Sequence, residues 1–397
     1  MKLATLELRR FDVPFRTRFR HASAERARTE NAVVVATTVS GVAGYGEGCP
    51  RSYVTGEDAA SVADFFAHHA DSLARSVVNV ASLEAWRDAR IADIDRNPAA
   101  YCAMEMAVLD ALGRESGMTV EQLLGLSPLA DTFRFSAVLG DSAWPLYRLQ
   151  LLRYRWSGFR DFKLKLSPDM RRNRSKLAPL RDKRARFRVR ADANNLWPDA
   201  DACIEALGPL DFPWFALEEP VAAHRLDDCR RVSDALKTRI VLDESFTGRD
   251  QLALLRHDAD RWLLNLRVSK LGGLTRAIEV AEEARRLGFG LVVGAHVGET
   301  SLLTRAGLTL ATAAGGALVA QEGAFGTYLL ERDLTEPSIR FGAGGRLTAA
   351  EIPSSGGLGL AVDPACLSRP QGGSDPARLA KIKNDYHSYC FDHRNRA

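Results

Sequence analysis

Lys163 and Lys165 stand two residues apart in the stretch DFKLKL, Asp161 to Leu166. Alternation of this kind predicts a β-strand, on which residues i and i+2 share a face. Two ammonium groups therefore sit side by side, with Phe162, Leu164 and Leu166 on the other face. Crowding of like charges lowers the pKa of one of them. A lysine brought from about 10.4 to roughly 7–8 is a usable general base. Further along come Asp192 in VRADANN, Glu218 in FALEEP, Asp243 in VLDESF, Lys270 in RVSKLGG and His296 in VVGAHVGE. Counted from Lys165, they follow at intervals of 27, 26, 25, 27 and 26 residues. Three carboxylates gathered at one place repel unless a cation holds them. Oxygen donors without Cys or His favour Mg2+, with Mn2+ as an alternative. A lysine base beside a divalent cation suits abstraction of the proton α to a carboxylate. The cation then takes up the charge that develops on the carboxylate oxygens.

Any one acid after a strand is ordinarily a helix cap or a solvated loop residue, and a lone lysine is ordinarily on the surface. Recurrence in phase is what such separate explanations do not supply, and it points to the elements that hold the ring together. These six residues end or closely follow six of eight short apolar segments: FRFSAVL, DFKLKL, RFRVRAD, WFALEE, RIVLDE, WLLNLRV, LGFGLVVGAH and GGALVAQ. Helix-length segments such as LTRAIEVAEEARRL lie between them. Eight βα units imply a parallel sheet closed into an α/β, (β/α)8 TIM-like barrel. Active sites of such barrels form at the C-terminal ends of the strands. The chain is therefore divided into an α+β capping domain over residues 1–125, a barrel over 126–335, and a Gly/Pro/Ser-rich segment over 336–397 that packs back on the cap.

Composition is that of a globular chain of 397 residues, 46% hydrophobic and 26% charged. No apolar run reaches about 18 residues, so no membrane span is expected. The N-terminus lacks the apolar core of a signal peptide. None of the six cysteines forms a CxxC pair, which argues against zinc and, with the missing leader, for reduced thiols in a cytoplasm. A net charge of +4 is too mild to imply nucleic-acid binding. The basic stretch from Met170 to Arg190 reads as the solvent face of an outer helix.

KLK, DANN, LEEP, DES and SKLGG, in this order and with GYGEG near residue 44, resemble the enolase superfamily, in its muconate-lactonizing-enzyme subgroup. The resemblance covers nearly the whole chain. It implies a Mg2+-dependent isomerase that draws an α-proton from a small carboxylate substrate through an ene-diolate. By position it implies Asp192, Glu218 (rather than Glu219) and Asp243 as metal ligands. Lys165 and Lys270 become acid/bases on opposite substrate faces, Lys163 tunes Lys165, and Asn194 supports the site. Members that pair a histidine with an aspartate would use His296, but the partner position here is Arg267. His296 is then either a substrate contact or a structural imidazole. The family also implies a homo-oligomer, a dimer or an octamer.

The ring does not choose among cycloisomerisation, racemisation and dehydration. Cycloisomerase or racemase chemistry of the muconate-cycloisomerase type is the leading expectation. A dipeptide or N-acylamino acid epimerase is the alternative, and a non-catalytic binding barrel the rival from another class. Substrate choice is expected from the loop PFRTRFRHASAERARTEN, with Arg18, Arg20 and His21, and from CPRSYVTGED, with Arg51 or Tyr53. It is also expected from the end of the eighth strand. There, dipeptide epimerases carry Asp-x-Asp, and this chain offers only Glu322.

Overall fold

The computed structural model describes residues 2–21, 24–181 and 187–370; the side chains of residues 18–25 fall outside that set. The capping domain begins with an antiparallel sheet of Leu3–Phe11, Asn31–Thr38 and Ala43–Gly48. Pro14–His21 and Ala24–Arg28 form a separate hairpin. The long helix Pro98–Ser116 is buried along nearly its whole length against this sheet. The reason lies in GYGEG. Gly44, Gly46 and Gly48 alternate on one face of the strand, and a Cβ on them would stand 2.2, 2.2 and 2.0 Å from backbone atoms of the helix. Only hydrogen at these positions lets the helix backbone rest directly on the sheet.

All eight anticipated barrel strands are present: Ala137–Leu139, Asp161–Lys165, Arg188–Asp192, Ala216–Glu218, Arg239–Leu242, Trp262–Leu266, Gly290–Val293 and Leu318–Gln321. Each pairs in parallel with the next in sequence. A parallel bridge between Phe135 and Gln321 returns the eighth strand to the first. The register sets Lys165 beside Asp192 and Asp192 beside Glu218, so the strand ends that bear charge lie at one level.

Buried carboxylates of the cap fasten it over this end. Glu105 accepts from the amides of Leu274 and Thr275 at 2.5 and 3.3 Å, at the N-terminus of helix Leu274–Arg286. Glu47 accepts from the amides of Thr300 and Leu303 at the start of helix Ser301–Ala314. Amides without an intrahelical partner and the helix dipole both favour a carboxylate there. Past residue 335, Arg346–Thr348 pairs with Thr132–Arg134. Leu358 donates its amide to Asp110 of the long capping helix, and Ser368 to the carbonyl of Arg10.

Candidate active site

The strand register places the charged residues in one buried ring. Lys163, Lys165, Asp192, Glu218, Asp243, Lys270 and His296 are all under a tenth exposed. Lys163 Nζ lies 2.8 Å from Glu218, 3.1 Å from Glu322 and 3.3 Å from Asp192. Burial opposes its charge, but these carboxylates outweigh burial and hold the ammonium well above the usual lysine pKa. Lys165 points to Asn194 Oδ1 at 3.3 Å, with Asp192 at 4.0 Å. Its pKa is lowered, first by burial and then by Lys163, against the pull of Asp192. The lysine pair thus divides its work. Lys163 is the fixed cation among acids, and Lys165 is the lysine whose proton is loosened. The spacing suggested that crowding alone would do this, yet burial is the larger cause.

Lys270 Nζ contacts the Asp243 carbonyl at 2.7 Å, Asp243 Oδ1 at 3.0 Å and the Asn265 carbonyl at 2.8 Å. Burial lowers its pKa, with Asp243 working the other way. Arg267 donates to Asp243 Oδ2 and to His296 Nδ1, the latter at 3.1 Å. Burial and the Arg267 charge hold His296 well below the ordinary imidazole pKa. His296 therefore stands neutral beside a guanidinium rather than in a base dyad with an acid.

Several supporting residues were not visible in the spacing. Glu219 accepts from the amides of Asp243 and Ser245 at 2.7 and 2.8 Å, and from the Ser245 hydroxyl at 2.8 Å. It does so at a φ of +38°, a left-handed conformation that a glutamate adopts only under constraint. The second acid of LEEP thus fixes the loop of Asp243, while Glu218 faces the ring. Asn194, at φ +47°, returns its amide nitrogens to Asp192 Oδ1. Arg190, fully buried, holds Glu322 at 2.6 Å and Ser136 at 2.7 Å. The signal that could have revealed it was its place two residues before Asp192, hence on the inward face of the strand.

Of the loop residues, Arg18, Arg20 and His21 lie on the hairpin strand Pro14–His21, and their side chains are outside the described residues. Tyr53 is half-buried in the turn after the third capping strand. Its neighbour Arg51 is wholly buried and donates to the carbonyls of Pro50 and Val297 at 2.7 and 2.9 Å. It is Arg51, then, that reaches the end of the seventh strand.

Asp192, Glu218 and Asp243 are donors of the right kind for a hard cation. As they stand, each is satisfied by a lysine or arginine. Among the described residues no group of three or more His, Cys, Asp or Glu is arranged to hold a metal. Buried carboxylates take the nearest available cation, and here Lys163 and Arg267 are nearest.

A capped eight-stranded parallel barrel with lysines and carboxylates at its C-terminal rim is the architecture of proton-abstracting barrel enzymes. Residues 5–125 match the mandelate racemase/muconate lactonizing enzyme N-terminal domain, and residues 147–366 match the enolase C-terminal domain-like family. The chain belongs to this family, and so to the enzymes of the enolase superfamily. The N-succinyl-L-Arg/Lys racemase of Bacillus cereus is 24% identical, over 78% of this chain and 84% of its own. The chloromuconate cycloisomerase of Cupriavidus pinatubonensis is 28% identical, over 67% and 71%. The structure of a Methylococcus capsulatus dipeptide epimerase, in complex with Mg and L-Arg-D-Lys, superposes with a TM-score of 0.77 at 26% identity, covering 91% and 100%. No helix among the described residues is long and apolar enough to cross a membrane.

Proposed function

We propose that this chain abstracts the α-proton of a small carboxylate substrate in a Mg2+-dependent reaction of cycloisomerase or racemase type. The observation behind this is that two buried lysines of lowered pKa, Lys165 and Lys270, stand four strands apart in a ring of eight. Between them lie Asp192, Glu218 and Asp243. These three carboxylates would hold the ion, which supplies charge neutralisation at the substrate carboxylate. Lys165 takes the proton from one face and Lys270 serves the opposite face, so both 1,1-proton transfer and cyclisation are within reach. Lys163 keeps Glu218 and Glu322 in place, and Asn194 orients Asp192. On this reading residues 1–125 and 336–370 form the cap and 126–335 the catalytic barrel, while residues 371–397 lie outside the described residues. A homo-oligomer, which the family resemblance implies, is proposed alongside it, with light scattering as its check.

One observation bears on the substrate. Glu322 is bound by both Arg190 and Lys163 and is held ionised at a pKa of about 2. With both oxygens engaged it is poorly placed to receive a substrate ammonium. This favours N-acylated amino acids and muconate-like acids over dipeptides with a free amine, which remain the second reading.

The test is α-proton exchange in D2O with Mg2+, followed by NMR across muconates, N-acyl amino acids and dipeptides. Exchange on one class, lost in Lys165→Ala, supports the reading. Calorimetry showing no Mg2+ binding would refute it and favour a non-catalytic barrel.

A further inference from the structure

Of the ten large apolar side chains that stand exposed among the described residues, five lie on one helix, Trp144–Trp156, which follows the first barrel strand. The inner face of this helix is already served. Tyr147 and Leu151 are buried there, and the Tyr147 hydroxyl donates to the Lys176 carbonyl at 2.8 Å. Pro145, Leu149, Leu152 and Trp156 recur at spacings of four, three and four residues, so they share another face. That face is turned to solvent: Leu149 is 65% exposed and Trp156 86%. A helix that packs on a barrel needs one apolar face, not two. Single exposed apolar residues are ordinary, whereas a contiguous row marks a contact surface.

The charges around the row have one sign. Helix Trp144–Trp156 carries Arg148, Arg153 and Arg155 and no acid. With about 3.6 residues per turn, Arg148 and Arg153 flank the row on its two sides. The neighbouring helix Met170–Leu177 adds Arg171, Arg172, Arg174 and Lys176, again with no acid. Between the two helices lies a groove of 230 Å3, lined by Ser142, Trp144, Arg171, Arg172, Ser175 and Lys176. Two acids stand nearby. Asp141 answers both Lys176 and Arg172, at 2.9 and 3.1 Å, and Asp169 lies 3.5 Å from an Arg171 side chain that is 95% exposed. Three cations against two acids leave the groove positive.

These signs decide what covers the face. A second copy docked through it would press two all-basic helix surfaces together. A peptide helix needs an apolar groove, whereas this row lies on the outer ring of the barrel, where the helices curve outward. A bilayer with anionic headgroups is negative at its surface and apolar just below. Arginines beside an apolar face, with a tryptophan at each end of the helix, make up a surface that lies in such an interface.

We propose that helices Trp144–Trp156 and Met170–Leu177 form a docking face for an anionic membrane surface. Leu149, Leu152 and Trp156 enter the headgroup layer, Arg148 and Arg153 meet the lipid anions, and the groove takes one headgroup. The chain lies on the bilayer and does not cross it. This is independent of the proton-abstraction reading, because none of these residues belongs to the ring of lysines and carboxylates.

The test is co-sedimentation of the full chain with vesicles of phosphatidylcholine, alone or with one quarter phosphatidylserine. The chain should partition at least about 10-fold more strongly onto the mixed vesicles, since each arginine near an anionic surface is worth about 5-fold. That preference should vanish as salt rises from about 0.1 to about 1 M, which shortens the screening length from about 10 to about 3 Å. Arg148→Gln together with Arg153→Gln should weaken binding by about 5-fold for each charge removed. Leu149→Ser together with Trp156→Ser should weaken it at least about 10-fold by removing the apolar row. Both side chains are exposed, so circular dichroism and the melting temperature should stay unchanged in that variant. Failure of the wild type to sediment with the mixed vesicles would overturn the proposal. So would equal sedimentation of the wild type and the Leu149/Trp156 variant. If the wild type stays off the vesicles and that variant halves the mass seen by light scattering, the face joins two copies of this chain instead.

Discussion

Two sets of buried carboxylates meet in this molecule, and they are handled in opposite ways. At the barrel mouth, Glu322 and Asp243 face lysine and arginine, and these charges hold both at about 2 despite burial. In the cap, Glu47 faces mainly amides and hydroxyls at the start of a helix, and burial pushes it up to about 7. Both sets satisfy their oxygens. Glu322 and Asp243 are answered by formal charge and stay ionised, although burial pushes Glu218 of the same ring up to about 8 despite Lys163 at 2.8 Å. The second set serves as a clasp. Burial and partner together decide the state of an acid.

The contrast can be broken most sharply at the mouth. Lys270→Ala should lower α-proton exchange by about 1,000-fold or more, the scale of a lost general acid/base, with circular dichroism unchanged. A loss under tenfold would remove Lys270 from the chemistry. The clasp is probed by pH. Glu47 binds protons more tightly folded than unfolded, so its contribution to stability is lost as pH rises from about 4.5 to about 7, by roughly 3 kcal/mol. Urea unfolding at pH 5 and pH 8 should show a smaller drop in Glu47→Gln than in the wild type; an equal drop would place the proton elsewhere. A supporting acid should have a smaller effect than either. Glu219→Gln weakens the loop of Asp243, and Mg2+ affinity by calorimetry should fall about 10- to 100-fold with the fold intact. The smallest effect belongs to packing alone. Gly46→Ala forces a Cβ into the backbone of the long capping helix and should cost about 1–3 kcal/mol, without changing which substrates exchange.

Much of the barrel was legible because its signal is periodic. Apolar runs of strand length, six of the eight ended or followed by a Lys, Asp, Glu or His at intervals near 26, are visible in one dimension, and the eight strands appear where those runs lie. The alternation in DFKLKL gave the shared face of Lys163 and Lys165. It could not give depth, and burial turned out to be the main reason that Lys165 is loosened. Contacts between distant segments left no such trace. Glu105 sits in the apolar helix CAMEMAV and meets amides 169 and 170 residues away. Arg267 was noted only for not being an aspartate, whereas in the fold it joins Asp243 to His296. Glu219 looked redundant beside Glu218, because sequence does not show which of two adjacent acids turns toward the loop.

The third capping strand has a mechanical consequence. Ala43–Gly48 bears Glu47, which grips the helix after the seventh barrel strand, and four residues later the same run delivers Arg51 to Val297. Clamp and reach are thus one lever. Any motion that lifts this strand from the barrel also withdraws Arg51, so the cap cannot open while that arginine stays docked.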